Sequence, residues 1–217
     1  MCLRIILADD HNMIREGLSY LLKRKPGVKV VAEAENGRKA VRLCHELKPD
    51  VVIIDIAMPD LNGIEATRLI ISELPGIKVI ALTMHAEGKF VREMLRAGAS
   101  GYLLKDSGFR ELSKALDIVV NNQIYLSPEI ADVLVNDYLE HAEDDNGQAF
   151  SVLTQREREV LQLIAEGKST SQIASILYIS EKTVAVHRQH ITDKLKLEST
   201  AELTKYAIRE GLTSLLS

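Results

Sequence analysis

The 217-residue chain is poor in cysteine and aromatic residues, with two cysteines, no tryptophan and only 4% aromatic side chains. Cys2 and Cys44 form neither a disulfide framework nor a metal-ligand spacing, so we expect two reduced thiols. No run approaches the roughly 18 uncharged apolar residues of a membrane span. The N-terminus, MCLRIILADD, is too short and too acidic for a signal peptide. These absences predict a cytoplasmic protein with no membrane partner.

An excess of positive charge and a glycine-rich phosphate loop are also lacking. The chain has 27 Lys and Arg against 31 Asp and Glu, a formal net charge of −4, so total charge does not indicate nucleic-acid binding. Gly17, Gly27 and Gly37 are isolated, which disfavours a nucleotide-binding enzyme. The length and the apolar content of 46% allow one large or two small domains.

Residues 1–121 alternate strand-like apolar runs with amphipathic helical stretches, the last of them at 108–120. The predicted strands are 3–8, 28–32, 51–54, 77–82 and 101–104. Strands that alternate with helices through short turns predict a parallel sheet with right-handed crossovers. We therefore expect an α/β domain with a five-stranded doubly wound parallel sheet.

Asp55 is the first candidate for a functional residue. It follows four consecutive β-branched residues, Val51–Ile54, which are typical of a strand buried on both faces. A carboxylate is costly to bury, so Asp55 is expected at the carboxyl end of this strand, where open α/β sheets bind ligands. Taken alone, it could equally be a residue that caps a turn.

Other polar residues follow the neighbouring strands and favour a site over a cap. The set comprises Asp9, Asp10, Thr83 and Lys105. Because parallel strands end at one edge, these side chains are expected to converge on Asp55. Three carboxylates repel one another and require a counter-charge, which Mg²⁺ with oxygen ligands would supply. We interpret the set as a phosphoryl-accepting site with Asp55 as the nucleophile.

These motifs resemble the receiver domain of two-component response regulators, which has a flavodoxin-like fold. The segments that carry the resemblance are Ala8-Asp9-Asp10-His11, Asp55-Ile56-Ala57-Met58-Pro59, Thr83 and Gly101-Tyr102-Leu103-Leu104-Lys105. The resemblance implies that a histidine kinase phosphorylates Asp55. It also implies that Mg²⁺ is bound by Asp10, Asp55 and the backbone carbonyl of Ala57, with Asp9 assisting.

The same resemblance gives roles to the remaining residues of the set. Thr83 and Lys105 would contact the phosphoryl oxygens, and Tyr102 would be an aromatic switch whose ring moves inward when Thr83 is drawn to the phosphate. An ordinary half-buried strand aromatic remains the alternative for Tyr102. His11 is expected as a helix-entry residue, because Mg²⁺ prefers oxygen ligands.

Residues 122–150 are predicted to connect two domains. Ser127 and Pro128 fit the start of a helix that extends to about Glu140. The polar stretch that follows is rich in acids, among them Glu143, Asp144 and Asp145, and is expected to be flexible. An alternative is that this acidic stretch competes with DNA for the next domain.

Residues 151–217 predict an all-α domain of four helices. Thr154 and Glu157 form a capping box, and the short helices that follow suggest a helix-turn-helix. The predicted helix at 181–196 has an apolar stripe and a basic outer surface. A basic helix of this kind indicates nucleic-acid binding.

This region resembles the LuxR-type DNA-binding domain. The resemblance lies in Leu153–Leu161, Ile164–Ser169, Ile173-Ala174 and Ile179–Val184 with His187. With the receiver motifs, it makes the chain similar to the NarL/FixJ class of response regulators. It implies that the 181–196 helix enters the major groove of double-stranded DNA. The candidates for phosphate contacts are Lys182, Thr183, Arg188 and Lys196, and those for base contacts are Ala185, Val186 and Gln189.

Two of the base-contact positions depart from the family pattern. Ala185 and Gln189 stand where many members have charged residues, which predicts fewer guanine contacts and more contacts to thymine methyls and adenine edges.

The resulting hypothesis is a phosphorylation-controlled transcription regulator rather than an enzyme. It would act as a homodimer when phosphorylated or bound to DNA, with Leu203, Tyr206 and Ala207 of the last helix as the candidate dimer contact. A hydrolase of the haloacid-dehalogenase type is one alternative, but it usually needs a second acid where this chain has Ala57. A DNA binder independent of phosphorylation is another, and the apparently complete acidic site argues against it.

Overall fold

The computed structural model describes residues 2–84, 86–141 and 152–213. They form two compact units, one built around a sheet and one built from helices. The acidic stretch with Glu143, Asp144 and Asp145 lies outside the described residues, so its flexibility stays a prediction. The division into 1–121, 122–150 and 151–217 also stays a prediction.

The first unit is a parallel sheet with helices packed on it. Its strands are β1 (Leu3–Ala8), β2 (Val28–Ala34), β3 (Val51–Ile54), β4 (Lys78–Thr83), β5 (Gly101–Leu104) and β6 (Tyr125–Leu126). Its helices are α1 (Asn12–Lys23), α2 (Gly37–Leu47), α3 (Gly63–Glu73), α4 (Gly88–Arg96), α5 (Gly108–Val119) and α6 (Pro128–His141). The strand order is β2-β1-β3-β4-β5-β6 and every pair is parallel. The predicted flavodoxin-like α/β fold is confirmed.

The sheet has six strands, so the predicted count of five was wrong. The sixth, β6, contains only Tyr125 and Leu126, which pair with Gly101 and Tyr102 of β5. Two residues are too short to show an alternating pattern. This strand exists because the edge of β5 offers backbone groups to the chain that returns after α5.

The strand register brings the polar residues of the sheet edge together. Ala8 pairs with Ile54, so Asp9 and Asp55 each follow a paired residue on adjacent strands. Thr83 pairs with Leu104, the residue before Lys105. All four residues of β3 are buried, as expected for its apolar run. The strand order reverses between β1 and β3, which is where ligands bind in sheets of this kind.

The second unit contains four helices within residues 152–213. They are α7 (Gln155–Ala165), α8 (Thr170–Leu177), α9 (Glu181–Leu195) and α10 (Thr200–Arg209). The predicted capping box of Thr154 and Glu157 is present, and the side chain of Ser180 caps α9 by accepting a hydrogen bond from Thr183 N at 3.1 Å. The three-residue turn between α8 and α9 makes the pair a helix-turn-helix. The predicted four-helix domain is confirmed.

Candidate phosphoacceptor and DNA-binding sites

Lys105 lies between two buried carboxylates at the carboxyl edge of the sheet. Its Nζ is 2.6 Å from Asp55 Oδ2 and 2.7 Å from Asp9 Oδ2. Asp9 and Asp55 are each 4% exposed, and the Lys105 side chain is 7% exposed. Buried charges are stable only when they are paired, so the three side chains form one electrostatic unit. The structure therefore brings Asp9, Asp55 and Lys105 together, as the order of the strands predicted.

The pKa directions at this unit follow from burial and from the surplus of carboxylate. Burial raises the pKa of Asp55, and the charge of Asp9 adds to this, while Lys105 acts in the opposite direction. Burial works to lower the pKa of Lys105, but attraction to Asp55 and Asp9 outweighs it and raises the value. One ammonium cannot satisfy both carboxylates fully, which leaves the site able to accept more positive charge.

Asp10 and His11 complete a cluster whose ligand atoms fit a metal ion. One ligand atom from each of Asp9, Asp10, His11 and Asp55 lies within 4.8 Å of the others. Asp10 Oδ1 is buried and lies 2.7 Å from His11 Nδ1. The carboxylates of Asp9, Asp10 and Asp55 together supply the oxygen ligands that Mg²⁺ prefers. The residues therefore fit this ion.

His11 begins α1 as its N-cap residue, in agreement with the expected helix-entry role. Its backbone N–H donates to Asp9 Oδ1 at 2.9 Å, and this bond orients the carboxylate. Arg15, one helical turn later, donates from Nη1 to the backbone carbonyl of Asp9 at 2.5 Å. Arg15 was not among the predicted site residues, although its spacing from His11 on α1 was a usable signal.

The loop after Asp55 is held tightly against the start of α3. Ile56 N donates to Asp55 Oδ1 at 2.7 Å, and Gly63 N donates to Ile56 O at 2.8 Å. A β-carbon on Gly63 would overlap the Asp55 carbonyl oxygen and lie 2.9 Å from its carbonyl carbon. Gly63 is thus part of the framework of the site. The backbone carbonyl of Ala57, which lies in this loop, remains a predicted metal ligand.

Thr83 and Tyr102 are buried residues of β4 and β5. Thr83 is fully buried, and its carbonyl accepts a hydrogen bond from Lys105 N at 2.9 Å. Tyr102 is also fully buried, so its ring is directed into the protein rather than half-exposed. Burial, followed by the charges of Glu87 and Asp55, raises the pKa of its hydroxyl. The role of Tyr102 as a switch residue stays a prediction.

The residues predicted to contact DNA lie on the outer face of α9 and at Lys196, which follows the last residue of this helix as its C-cap. Six are exposed and Thr183 is half-buried, while Val184 and Ile191 on the opposite face are buried in the core of the second unit. The exposed six are Lys182, Ala185, Val186, Arg188, Gln189 and Lys196. Separation of an apolar inner face from a basic outer one is what a recognition helix needs.

Two of these residues are held by hydrogen bonds within the domain. Arg188 Nη2 donates to Thr200 Oγ1 at 2.8 Å, and Gln189 Nε2 donates to Asp193 Oδ1 at 2.8 Å. These two partners were not predicted from the sequence, and they orient the side chains of Arg188 and Gln189 in the absence of DNA.

The predicted dimer contact on α10 was wrong for two of its three residues. Leu203 and Ala207 are fully buried in the core of their own domain, and only Tyr206 of the three is partly exposed. The apolar spacing from which the dimer contact was predicted is also the spacing of a helix that packs on the core of its own domain. Leu203 and Ala207 are therefore not available to a second protomer.

Glu157 ties the start of α7 to α9. Its Oε2 accepts hydrogen bonds from Thr154 N at 2.7 Å and from Lys194 Nζ at 2.6 Å, and its side chain is 4% exposed. Burial works to raise the pKa of Glu157, but Lys194 and Thr154 outweigh it and hold the value below its usual range. The contact fixes α9 against the rest of the domain.

Glu157→Gln is expected to lower the opening free energy of α9 by about 1.5 kcal/mol at pH 7, because a charge-assisted bond is lost. The folded-state pKa lies below the unfolded one, so this stabilisation is present above about pH 4.3 and is lost as pH falls through the folded-state pKa. Amide hydrogen exchange of α9 in the full chain, at pH 7 and near pH 4, measures both effects. Glu181→Gln, at an exposed position of α9, is the control. A difference from wild type that is equal at both pH values would contradict the assignment.

Comparison with known proteins identifies two domain families in the chain. Residues 5–117 match the family described as response regulator receiver domain, and residues 151–207 match bacterial regulatory proteins of the luxR family. The chain is 36% identical to the transcriptional regulatory protein DegU of Brevibacillus brevis, over 96% of this chain and 94% of that one. It is 37% identical to the response regulator GacA of Pseudomonas protegens, over 97% of each.

Among solved structures, the chain is similar to RcsB of Salmonella enterica serovar Typhimurium bound to promoter DNA with the phosphomimetic BeF3⁻. The identity is 26% and the TM-score 0.62, with 98% of this chain and all of that chain covered. No helix within the described ranges is long and apolar enough to cross a membrane.

The buried acidic site on the sheet, the helix-turn-helix and these matches agree over nearly the whole length of the chain. The protein therefore belongs to the NarL/FixJ class of two-component response regulators, which join a receiver domain to a LuxR-type DNA-binding domain.

Proposed function

We propose that Asp55 accepts a phosphoryl group from a histidine kinase and that this modification controls DNA binding. The observation that carries the proposal is the burial of Asp55 and Asp9 around Lys105 at the ligand-binding edge of the sheet. An oxygen of Asp55 attacks the phosphorus of a phosphohistidine, and the O–P bond forms as the P–N bond breaks. Lys105 Nζ and the Thr83 hydroxyl then donate hydrogen bonds to the phosphoryl oxygens.

Receiver domains generally use Mg²⁺ at their acidic site, and the cluster of carboxylates here supports the same ion. We assign Asp10, Asp55 and the backbone carbonyl of Ala57 as its ligands, with Asp9 assisting. The ion supplies positive charge beside the phosphoryl oxygens. Family members act as transcription factors rather than as classical enzymes. The chemistry that we propose for Asp55 is therefore limited to its own phosphorylation and slow dephosphorylation.

We propose that α9 enters the major groove of double-stranded DNA and that two protomers bind together. Support for pairing comes from a structural relative, RcsB, which is described as two dimers bound to two parallel DNAs. A pair of half-sites multiplies the modest affinity of a single recognition helix. We assign the regulator to the cytoplasm, because its DNA target and its proposed kinase partner act in that compartment.

Acetyl phosphate with Mg²⁺ is expected to raise the affinity of the wild-type protein for DNA by about tenfold, within the usual range of allosteric coupling. Asp55→Ala should remove the increase entirely, because the accepting oxygen is gone. Intact-mass analysis measures phosphorylation, and a gel-shift titration on a duplex selected from a random library measures affinity. Asp106→Asn, at an exposed acid next to Lys105, is the control. An identical response from Asp55→Ala and wild type would refute the proposal.

Lys182→Ala and Gln189→Ala are expected to affect DNA binding in different ways. Loss of a phosphate contact at Lys182 should weaken binding to all sequences. It should also reduce the slope of log affinity against log salt concentration by about one. Loss of a base contact at Gln189 should cost about 1–3 kcal/mol on the preferred sequence and relax the preference at one position. Affinity measured over a salt series and on a library of single-base variants separates the two effects. If Gln189→Ala left every base preference intact, its assignment to a base edge would be wrong.

A further inference from the structure

An acidic residue lies among the candidate DNA contacts of α9. Residues 182–196 contain four Lys and Arg and only one acid, Asp193. Asp193 is exposed and lines an open cleft together with Ala185, Gln189 and Lys196. A carboxylate repels the phosphates of DNA, so Asp193 weakens the general electrostatic attraction of this surface. A benefit of Asp193 to DNA recognition must therefore come from a local contact.

The local contact of Asp193 is the hydrogen bond that it accepts from Gln189. The two residues are four positions apart, which places them on the same face of α9. Gln189 Nε2 donates to Asp193 Oδ1 at 2.8 Å. A carboxylate has acceptors only, so it pairs with the amide nitrogen of Gln189 and not with the amide oxygen. Because a glutamine amide otherwise turns about its last torsion angle with little preference, Asp193 selects one of two orientations.

The selected orientation leaves a defined pair of polar groups on Gln189 for a base edge. The amide nitrogen carries two N–H donors, and Asp193 accepts from one of them. The second N–H and the amide oxygen Oε1 remain, which gives one donor beside one acceptor. Adenine presents the complementary pair in the major groove, with N7 as an acceptor and the N6 amino group as a donor. Guanine presents two acceptors, N7 and O6, so its O6 would face Oε1 and be repelled.

We propose that Asp193 is a positioning residue that orients the Gln189 amide to bind adenine and to reject guanine. The inference rests on the proposed function, because it starts from α9 in the major groove and Gln189 at a base edge. Without Asp193, the amide is free to turn so that Nε2 faces O6 of guanine, and the discrimination between the two bases falls. Bound DNA covers the cleft and excludes water from it, which strengthens the hydrogen bond between Gln189 and Asp193. Asp193 thus lowers the affinity for all DNA and raises the selectivity at one base pair.

Glu198 provides a matched control for Asp193. It is an exposed acid that lines the same cleft, whereas the Gln189 amide donates to Asp193. Replacing either acid by its neutral amide removes one negative charge from the cleft. Only Asp193→Asn also changes the partner of Gln189, because an asparagine amide has donors as well as an acceptor and pairs with either orientation. The two variants therefore separate the effect of charge from the effect of orientation.

Affinity of the full chain for a duplex selected from a random library, and for all its single-base variants, tests the inference. Gln189→Ala first identifies the base pair that Gln189 contacts, as the position whose preference it relaxes. Asp193→Asn should reduce the preference for adenine over guanine at that base pair by about fivefold, the lower end of the discrimination of a bidentate contact. Asp193→Asn and Glu198→Gln should both raise the affinity for all sequences, and Glu198→Gln should leave every base preference unchanged. Added to Gln189→Ala, Asp193→Asn should not change the base preference further.

The outcomes separate the positioning role of Asp193 from the proposed function. If Gln189→Ala relaxes no base preference, the proposed base contact itself is overturned. If Gln189→Ala relaxes one position while Asp193→Asn keeps the wild-type selectivity there, the positioning role alone is overturned. A wild-type preference for guanine at that position would overturn it too. An equal loss of selectivity in Asp193→Asn and Glu198→Gln would show that charge, and not the orientation of the amide, sets the preference.

Discussion

Gly63→Ala is expected to lower the free energy of unfolding of the receiver domain by about 3 kcal/mol, at the upper end of the cost of overpacking a tight site. The added β-carbon would overlap the carbonyl oxygen of Asp55 and lie 3.0 Å from Cα of Ile56. These are backbone atoms, which cannot rotate out of the way as the end of a side chain can. The loop from Asp55 to Gly63 must therefore move, and it carries both the phosphoacceptor and the proposed metal ligand Ala57.

The variant should consequently lose phosphorylation as well as stability. Urea unfolding of the full chain, read by exchange of β3 amides, measures the first effect, and mass analysis after acetyl phosphate measures the second. Gly17→Ala is a matched control, because Gly17 also lies in a helix and a β-carbon there meets no atom within 4 Å. That control should be stabilised by about 0.5–1 kcal/mol through helix propensity. Equal stability of the two variants would show that the close approach at Gly63 does not constrain the loop.

Lys105→Met is expected to destabilise the receiver domain by about 3–5 kcal/mol at neutral pH, the usual cost of removing one partner of a buried ion pair. Asp9 and Asp55 would then face each other in a buried site without the ammonium that lies 2.7 and 2.6 Å from them. Phosphorylation of Asp55 should also fall, because the phosphoryl oxygens lose a donor. Thermal unfolding in the absence of divalent ions measures the destabilisation.

Magnesium distinguishes this electrostatic effect from a simple packing defect. A divalent cation at the carboxylates should restore part of the lost stability, so Mg²⁺ should raise the melting temperature of Lys105→Met more than that of wild type. Lys29→Met, at an exposed position of β2, should behave as wild type in both conditions. If Mg²⁺ stabilised Lys105→Met no more than wild type, a charge-driven role for Lys105 would be ruled out.

The sequence by itself determined the local elements and which acidic residues meet at the edge of the sheet. The β-branched run before Asp55 predicted a strand buried on both faces, and β3 is such a strand. The capping box of Thr154 and Glu157 predicted where α7 begins. These features were predictable because each depends on residues a few positions apart, and because parallel strands bring their carboxyl ends to one edge whatever lies between them.

Only the tertiary structure decided the features that depend on distant parts of the chain. It added β6 to the sheet and placed Lys105 between Asp9 and Asp55. It also buried Leu203 and Ala207, whose spacing had led us to predict a dimer contact. Amphipathic spacing shows that a helix face is apolar but not what covers it. The requirement for glycine at position 63 likewise comes from backbone atoms of Asp55 and Ile56, so no pattern in the residues around position 63 predicts it. The packing of α6 on α4 depends on distant residues in the same way, since Gly88 and Asp137 are far apart in the sequence and meet only in the folded domain.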